Sequence, residues 1–259
     1  MNQKIFAFAI LAAILDIFPS EASCQKKMKL EEGLRTSSAP LPIKIRGGTL
    51  LKFDFGSYHT LSARAGFIKT TTKSKLFSTI EKSESKQKAS IVLLGNGSDT
   101  STINISHHVN SEVVRDYIIS VIQGIPVFRK EKYPSNFKET SNIVAVITTT
   151  TDTTIWNFVY TSVVNTENSM ENISMGAVTN GERNIEIRPV TEWDNGKSPA
   201  FYSVVGFEFY IEGIAVAAVQ NPLDTFQKKF VWLKTGLDEN LKLILASSAT
   251  VLLSFTNTP

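Results

Sequence analysis

The last apolar stretch of the chain sets the strongest limit on its fold. Leu237 to Ser254 (LDENLKLILASSATVLLS) opens on Asp238 and Glu239 and thereafter carries one charge, Lys242. Carboxylates at the start suit a helix N-terminus, where the dipole and unpaired N–H groups favour negative charge. Thr235-Gly236 breaks the chain before it. Beyond Asn240 the segment is apolar on every side, and a helix apolar all round must be buried all round. These 18 residues give a helix of about 27 Å, long enough to traverse a closed barrel. Two other readings stay open. In a glycosylphosphatidylinositol-attachment tail, Thr235-Gly236 and the short polar stretch 238–242 would precede the apolar part. A membrane anchor needs about 20 strongly apolar residues, and about fifteen, diluted by Ser and Thr, are present.

Upstream of this segment the dominant period is two. Residues 49–55, 61–68, 76–80, 89–94, 124–128, 142–150, 154–164, 173–179, 184–190, 201–211, 214–219 and 230–233 form short runs. Gly, Ser, Lys and Asn separate them. Ile185-Glu-Ile187-Arg alternates cleanly, with the charged side chains on the wet face. Asn180-Gly181 and Glu212-Gly213 predict tight hairpins. Residues 112–123 (EVVRDYIISVIQ) suit a short helix or a strand, and their Val and Ile content favours the strand. The expectation is a mainly β chain: an antiparallel β-barrel of about twelve strands around a buried hydrophobic C-terminal helix, as a single domain over residues 43–259.

The other end of the chain speaks of compartment. Lys4, the unbroken apolar run 5–15 (IFAFAILAAIL) and Ser20-Glu-Ala22 after Pro19 have the layout of a secretory signal peptide over residues 1–22. The mature chain would then begin at Ser23 and be extracellular. Removing that leader takes away one Lys and two acids, so the net charge moves from +3 to +4. This mild excess suits anionic surfaces and makes no argument for nucleic acid. Cys24 is the only cysteine, so no intrachain disulfide forms. A chain this long buries about 70% of its surface and needs no such staple. Residues 23–42, charged and polar up to Pro40 and Pro42, read as a flexible N-terminal arm. Asn96, Asn104 and Asn172 each head an N-x-Ser acceptor, and the first two flank the polar stretch 95–101.

The segment Gly206-Phe-Glu-Phe-Tyr-Ile-Glu-Gly-Ile-Ala-Val-Ala-Ala-Val219, then Phe230-Val-Trp-Leu233, then Leu237-Asp-Glu-Asn-Leu-Lys-Leu-Ile-Leu245 resembles the close of the tubby-like barrel superfamily. That group holds tubby C-terminal domains, phospholipid scramblases and plant LURP-one-related proteins. The resemblance implies a barrel of roughly twelve strands wrapped round a hydrophobic C-terminal helix. It is strongest over residues 200–255. The chain lacks the scramblases' cysteine-rich tract and calcium-ligand run, and none of its Lys or Arg residues matches the phosphoinositide site of tubby domains, so the resemblance transfers no site residue.

The sequence carries no GxSxG, HExxH, CxxC or GxGxxG, no cofactor signature and no catalytic set. His107 and His108 are adjacent, which on a strand sends them to opposite faces. The acids Glu182, Glu186, Glu192, Asp194, Glu208 and Glu212 crowd one region, but charges spread along outer strand faces usually serve solubility rather than paired acid–base chemistry. Basic clusters occur at Lys26/Lys27/Lys29, Lys69/Lys73/Lys75, Lys82/Lys86/Lys88, Arg129/Lys130/Lys132 and Lys228/Lys229. If several converge they make a patch for anionic lipid or glycan. Trp156, Trp193 and Trp232 suit strand packing. The reading is a secreted, non-enzymatic binding module for an extracellular ligand or protein, an anionic lipid or membrane surface among them. The alternative is a β-pore-forming protein, for which the Thr-rich stretches 147–154 and 70–74 would supply hydroxyl-lined hairpins.

Overall fold

The structure is a computed structural model of the chain. It describes residues 26–47, 50–74, 80–114, 117–122, 125–130, 136–167, 173–199, 204–222 and 227–256. The leader, Cys24, Lys75, Lys132 and Asn172 lie outside them.

The first part of the chain supplies α1 (Glu32–Ser37) and nine strands: β1 (Leu41–Pro42), β2 (Lys44–Arg46), β3 (Lys52–Phe55), β4 (Tyr58–Ala65), β5 (Lys69–Ser74), β6 (Ile80–Leu94), β7 (Thr100–Val114), β8 (Tyr117–Ile122) and β9 (Ile125–Lys130). The second part supplies β10 (Asn136–Thr149), β11 (Trp156–Asn165), β12 (Ile173–Thr179), β13 (Asn184–Val190), β14 (Gly206–Ile211), β15 (Ile214–Gln220), β16 (Phe230–Leu233) and the helix α2 (Glu239–Phe255).

Among the described residues, fourteen strands make one antiparallel sheet that curls into a nearly closed barrel, running β2-β3-β4-β6-β7-β10-β11-β12-β13-β14-β15-β16-β1. β5 continues the line of β4 along β6, and β8 pairs with β9 in a separate two-stranded sheet. The two ends of the sheet meet in one short piece of chain. β1 pairs with β16, β2 pairs with β3, and only Ile43 separates them, its N–H donating to the Lys229 carbonyl at 3.0 Å. Glu212 and Gly213 both have positive φ, 51° and 79°, the two-residue turn that matches strand twist. The hairpin at Asn180-Gly181 is longer. It closes at Thr179–Asn184, and the Asn180 side chain accepts from the N–H of Glu182 and Arg183. Residues 112–123 are extended where described, in β7 and β8.

The C-terminal helix lies inside. Every residue from Leu243 to Leu253 is buried, and α2 packs against β7, β10, β15 and β16. Asp238 caps it, accepting from the Leu241 N–H at 2.8 Å. The hydroxyls that dilute its apolar surface are satisfied locally. Ser247, Ser248 and Thr250 donate to the carbonyls four residues back at 2.7–2.9 Å, and Ser247 also meets Ser101 on β7 at 2.6 Å. Alternate inward residues such as Ile91, Leu93, Ile103, Ile143, Ile147 and Phe158, all 0% exposed, surround the helix. Among the described residues no helix is long and apolar enough to cross a membrane.

The segment read as a flexible arm is docked over its described part. Met28 and Leu34, 1% and 0% exposed, join Trp193, Val205, Ala215, Ala218, Phe230 and Trp232 in a second apolar cluster outside the barrel. Gln220 fixes it, accepting from the Met28 N–H at 2.8 Å and donating to the carbonyls of Lys26 and Lys228. Met28 and Leu34 are isolated apolar residues in a charged stretch, so no period marks them. The signal was on the receiving strands: β15 and β16 are apolar on both faces, which requires cover on both.

Candidate functional site

β6, β7 and β10 are longer than the helix requires. Phe255, the last residue of α2, meets the His107 ring with centroids 5.2 Å apart. Beyond that level the inward positions turn polar. Ser83 bonds Ser111 at 2.6 Å, Ser141 bonds His107 at 2.9 Å, and Glu139 lies half-buried. The sheet therefore runs on past its apolar core as a ribbon of β5, β6, β7 and β10.

The outward positions of this ribbon gather the basic clusters. Because Ile91 and Leu93 point inward, Lys82, Glu84, Lys86 and Lys88 point outward. The register then lays Lys73 beside Lys82, Lys82 beside Glu112 and Glu112 beside Lys138. A parallel row runs Lys69, Lys86, His108. Arg64, opposite Ser90, adds a further cation at the barrel end. All seven basic Lys and Arg side chains are exposed. Two carboxylates stand among them. Glu112 pairs with Lys82 at 2.9 Å, and Glu84 pairs with Lys86 at 2.7 Å and His108 at 2.9 Å. Those two partners hold the Glu84 carboxyl below its usual range, hydrogen bonding from Lys86 being the larger cause. Arg64, Lys69, Lys73 and Lys88 make no ion pair among the described residues. A groove of about 350 Å³ crosses this face between Lys73, Lys82, Glu112 and Lys138. A second of about 530 Å³ lies between Arg64, Lys88, Asn104 and Val144. Lysines on an edge strand such as β5 also discourage edge-to-edge pairing, but β6 and β10 are interior strands and need no such protection.

The remaining candidates are dispersed or already engaged. His107 is inside and His108 outside, so the pair shares no ligand. Among the described residues no three His, Cys, Asp or Glu are placed to hold a metal. Glu186 pairs with Arg188 at 2.6 Å and Glu192 with Lys29 at 2.8 Å. Glu208 accepts from the Glu31 N–H and the Tyr210 hydroxyl, which ties down the N-terminal segment. Lys229 is half-buried against Asn221, and burial pushes its pKa down. Trp156, Trp193 and Trp232 are buried. Asn96 is exposed at the opposite end, near the start of α2, where it donates to Glu239 at 3.3 Å. Asn104 is exposed on β7 and lines the second groove with Arg64 and Lys88. Of the Thr-rich stretches, 70–74 lies in β5. Residues 150–155 lie outside any strand, and Thr149 and Asp152 bind Asn240 at the start of α2.

The basic ribbon was hard to see in the sequence because residues 80–88 (IEKSESKQK) have no apolar face. Residues 81–88 separate the expected runs 76–80 and 89–94, and only the register with β7 shows a strand there.

His107 sets a pH dependence. Burial, with repulsion from His108, pushes its pKa below 6.5. The folded chain therefore binds this proton less readily than the unfolded one, so stability falls as pH drops from about 6.5 through the lowered value. Glu139, raised by burial, acts oppositely, losing its contribution as pH rises above about 4.5. Urea midpoints for the wild type and His107→Gln, compared between about pH 7.5 and about pH 5, isolate the histidine. The wild-type curve should fall more steeply on acidification, and parallel curves would refute the assignment.

No protein family, no curated protein and no solved structure matches the chain.

Proposed function

We propose that this chain is a secreted, non-enzymatic binding module whose ligand-facing surface is the outer face of the β5–β6–β7–β10 ribbon, and that its ligand is polyanionic. The observation that carries the reading is the convergence of three separate sequence stretches, 64–73, 82–88 and 138, into adjacent rows of lysine and arginine. Each such cation is worth about 1 kcal/mol near an anionic surface. The helix-filled barrel also favours kinship with the tubby-like barrels.

A pore made from the same strands is the second reading, favoured by the hydroxyls on the inward face of the ribbon. It would turn Lys82, Lys86 and Lys88 towards lipid, at a cost of about 2–4 kcal/mol each at the bilayer midplane. The barrel itself is filled by α2 and offers no lumen. Retention on immobilised heparin tests the first reading. The wild type should elute at higher salt than a Lys69→Glu/Lys73→Glu/Lys82→Glu/Lys86→Glu variant of unchanged circular dichroism. Equal elution would discard it, and release of a trapped dye from liposomes would favour the pore.

A further inference from the structure

The line of β4 and β5 is broken twice, and both breaks expel apolar side chains. Thr60 stands opposite Leu93 and Ser62 opposite Val92, so Leu61 is an extra residue, 51% exposed. Ala65 stands opposite Ala89 and Lys69 opposite Lys86, so residues 66–68 face only 87 and 88. This second bulge is held firmly: the Gly66 N–H donates to the Lys88 carbonyl at 2.8 Å, and Gln87 donates to the Gly66 carbonyl at 3.3 Å. It presents Phe67 at 101% exposure and Ile68 at 60%. Bulges re-aim side chains and are features of a strand rather than defects.

Two bulky apolar groups held clear of a rigid sheet, with Arg64, Lys69, Lys86 and Lys88 around them, match the surface of an anionic bilayer. The ring and the isoleucine would enter the acyl boundary while the long basic side chains reach the phosphates. They protrude rather than line a cavity, which suits a fluid surface that deforms around them. We infer that residues 67 and 68 are a membrane wedge and that the anionic ligand of the basic face is a phospholipid bilayer. This rests on the polyanion-binding reading above and adds to it the identity of the partner.

The test uses the mature chain and vesicles of phosphatidylcholine with and without phosphatidylserine. The wild type should sediment with the phosphatidylserine vesicles, and Phe67→Ser/Ile68→Ser should weaken that binding about tenfold while leaving elution from heparin unchanged. A Phe67→Trp variant should show blue-shifted emission and quenching by brominated acyl chains only with the anionic vesicles. Vesicle binding unaffected by the double substitution, or tryptophan emission that does not move, overturns the wedge. Heparin retention without vesicle binding also overturns it and leaves the polyanion reading standing. Failure of both heparin and vesicles to bind removes the two together.

Discussion

Val251→Asp should leave the chain unfolded or molten at room temperature. Val251 is 0% exposed about one turn before the end of α2, and Leu245 is likewise 0% exposed. Val251 belongs to the main apolar cluster of helix and barrel-wall residues, so a carboxylate there is taken out of water. It ionises at a cost of several kcal/mol or stays protonated and still lacks hydrogen-bond partners. A loss of about 4 kcal/mol or more is a large share of a typical domain stability of roughly 5–15 kcal/mol. Leu245→Asp should behave alike, and Leu245→Ala should cost about 2–5 kcal/mol through the cavity it leaves. Thermal unfolding followed by circular dichroism reads the effect. A Val251→Asp protein that melts like the wild type would show that the helix is not the core, and would revive an anchor or an attachment tail.

Gly206→Val should strip the N-terminal segment from the barrel. A side chain at Gly206 would run into the Val219 carbonyl oxygen and Met28 Sδ, and its first carbon would lie 2.9 Å from Gln220 Cα. The sulfur can move, but the backbone of β15 cannot without breaking its pairing with β14. The strain is of the overpacking kind, about 3 kcal/mol, and it acts where Met28 and Gln220 hold the segment. Limited trypsin digestion should cut at Lys29 and Arg35 in the variant under conditions where the wild type resists. An unchanged cleavage pattern together with an unchanged melting temperature would show that the second apolar cluster does not hold the segment.

The parts of the molecule that announced themselves in the sequence are those whose burial is one-sided or total. A helix that beyond Asn240 is apolar on every side can only sit inside something, and short runs of period two can only be strands with one face turned to it. From these, a barrel around a C-terminal helix followed. Gly213 marked its turn because it takes a positive φ of 79°, which glycine adopts without a steric cost.

Segments without such a bias stayed silent. The stretch 80–88 alternates lysine and glutamate with serine and glutamine, so neither face asks to be buried, and its strand exists because β7 and β4–β5 offer backbone partners on both sides. Met28 and Leu34 carry too few apolar atoms to mark an element, and they dock because β15 and β16 present a second apolar face. By itself, then, the amino-acid order determined the helix, the inward faces of most strands and the sign of the surface charge, all of which follow from local hydrophobic pattern. Only the tertiary structure decided which lysines stand together, where Phe67 emerges and what the N-terminal segment covers, because each depends on strand register, and register is a relation between residues far apart in the chain.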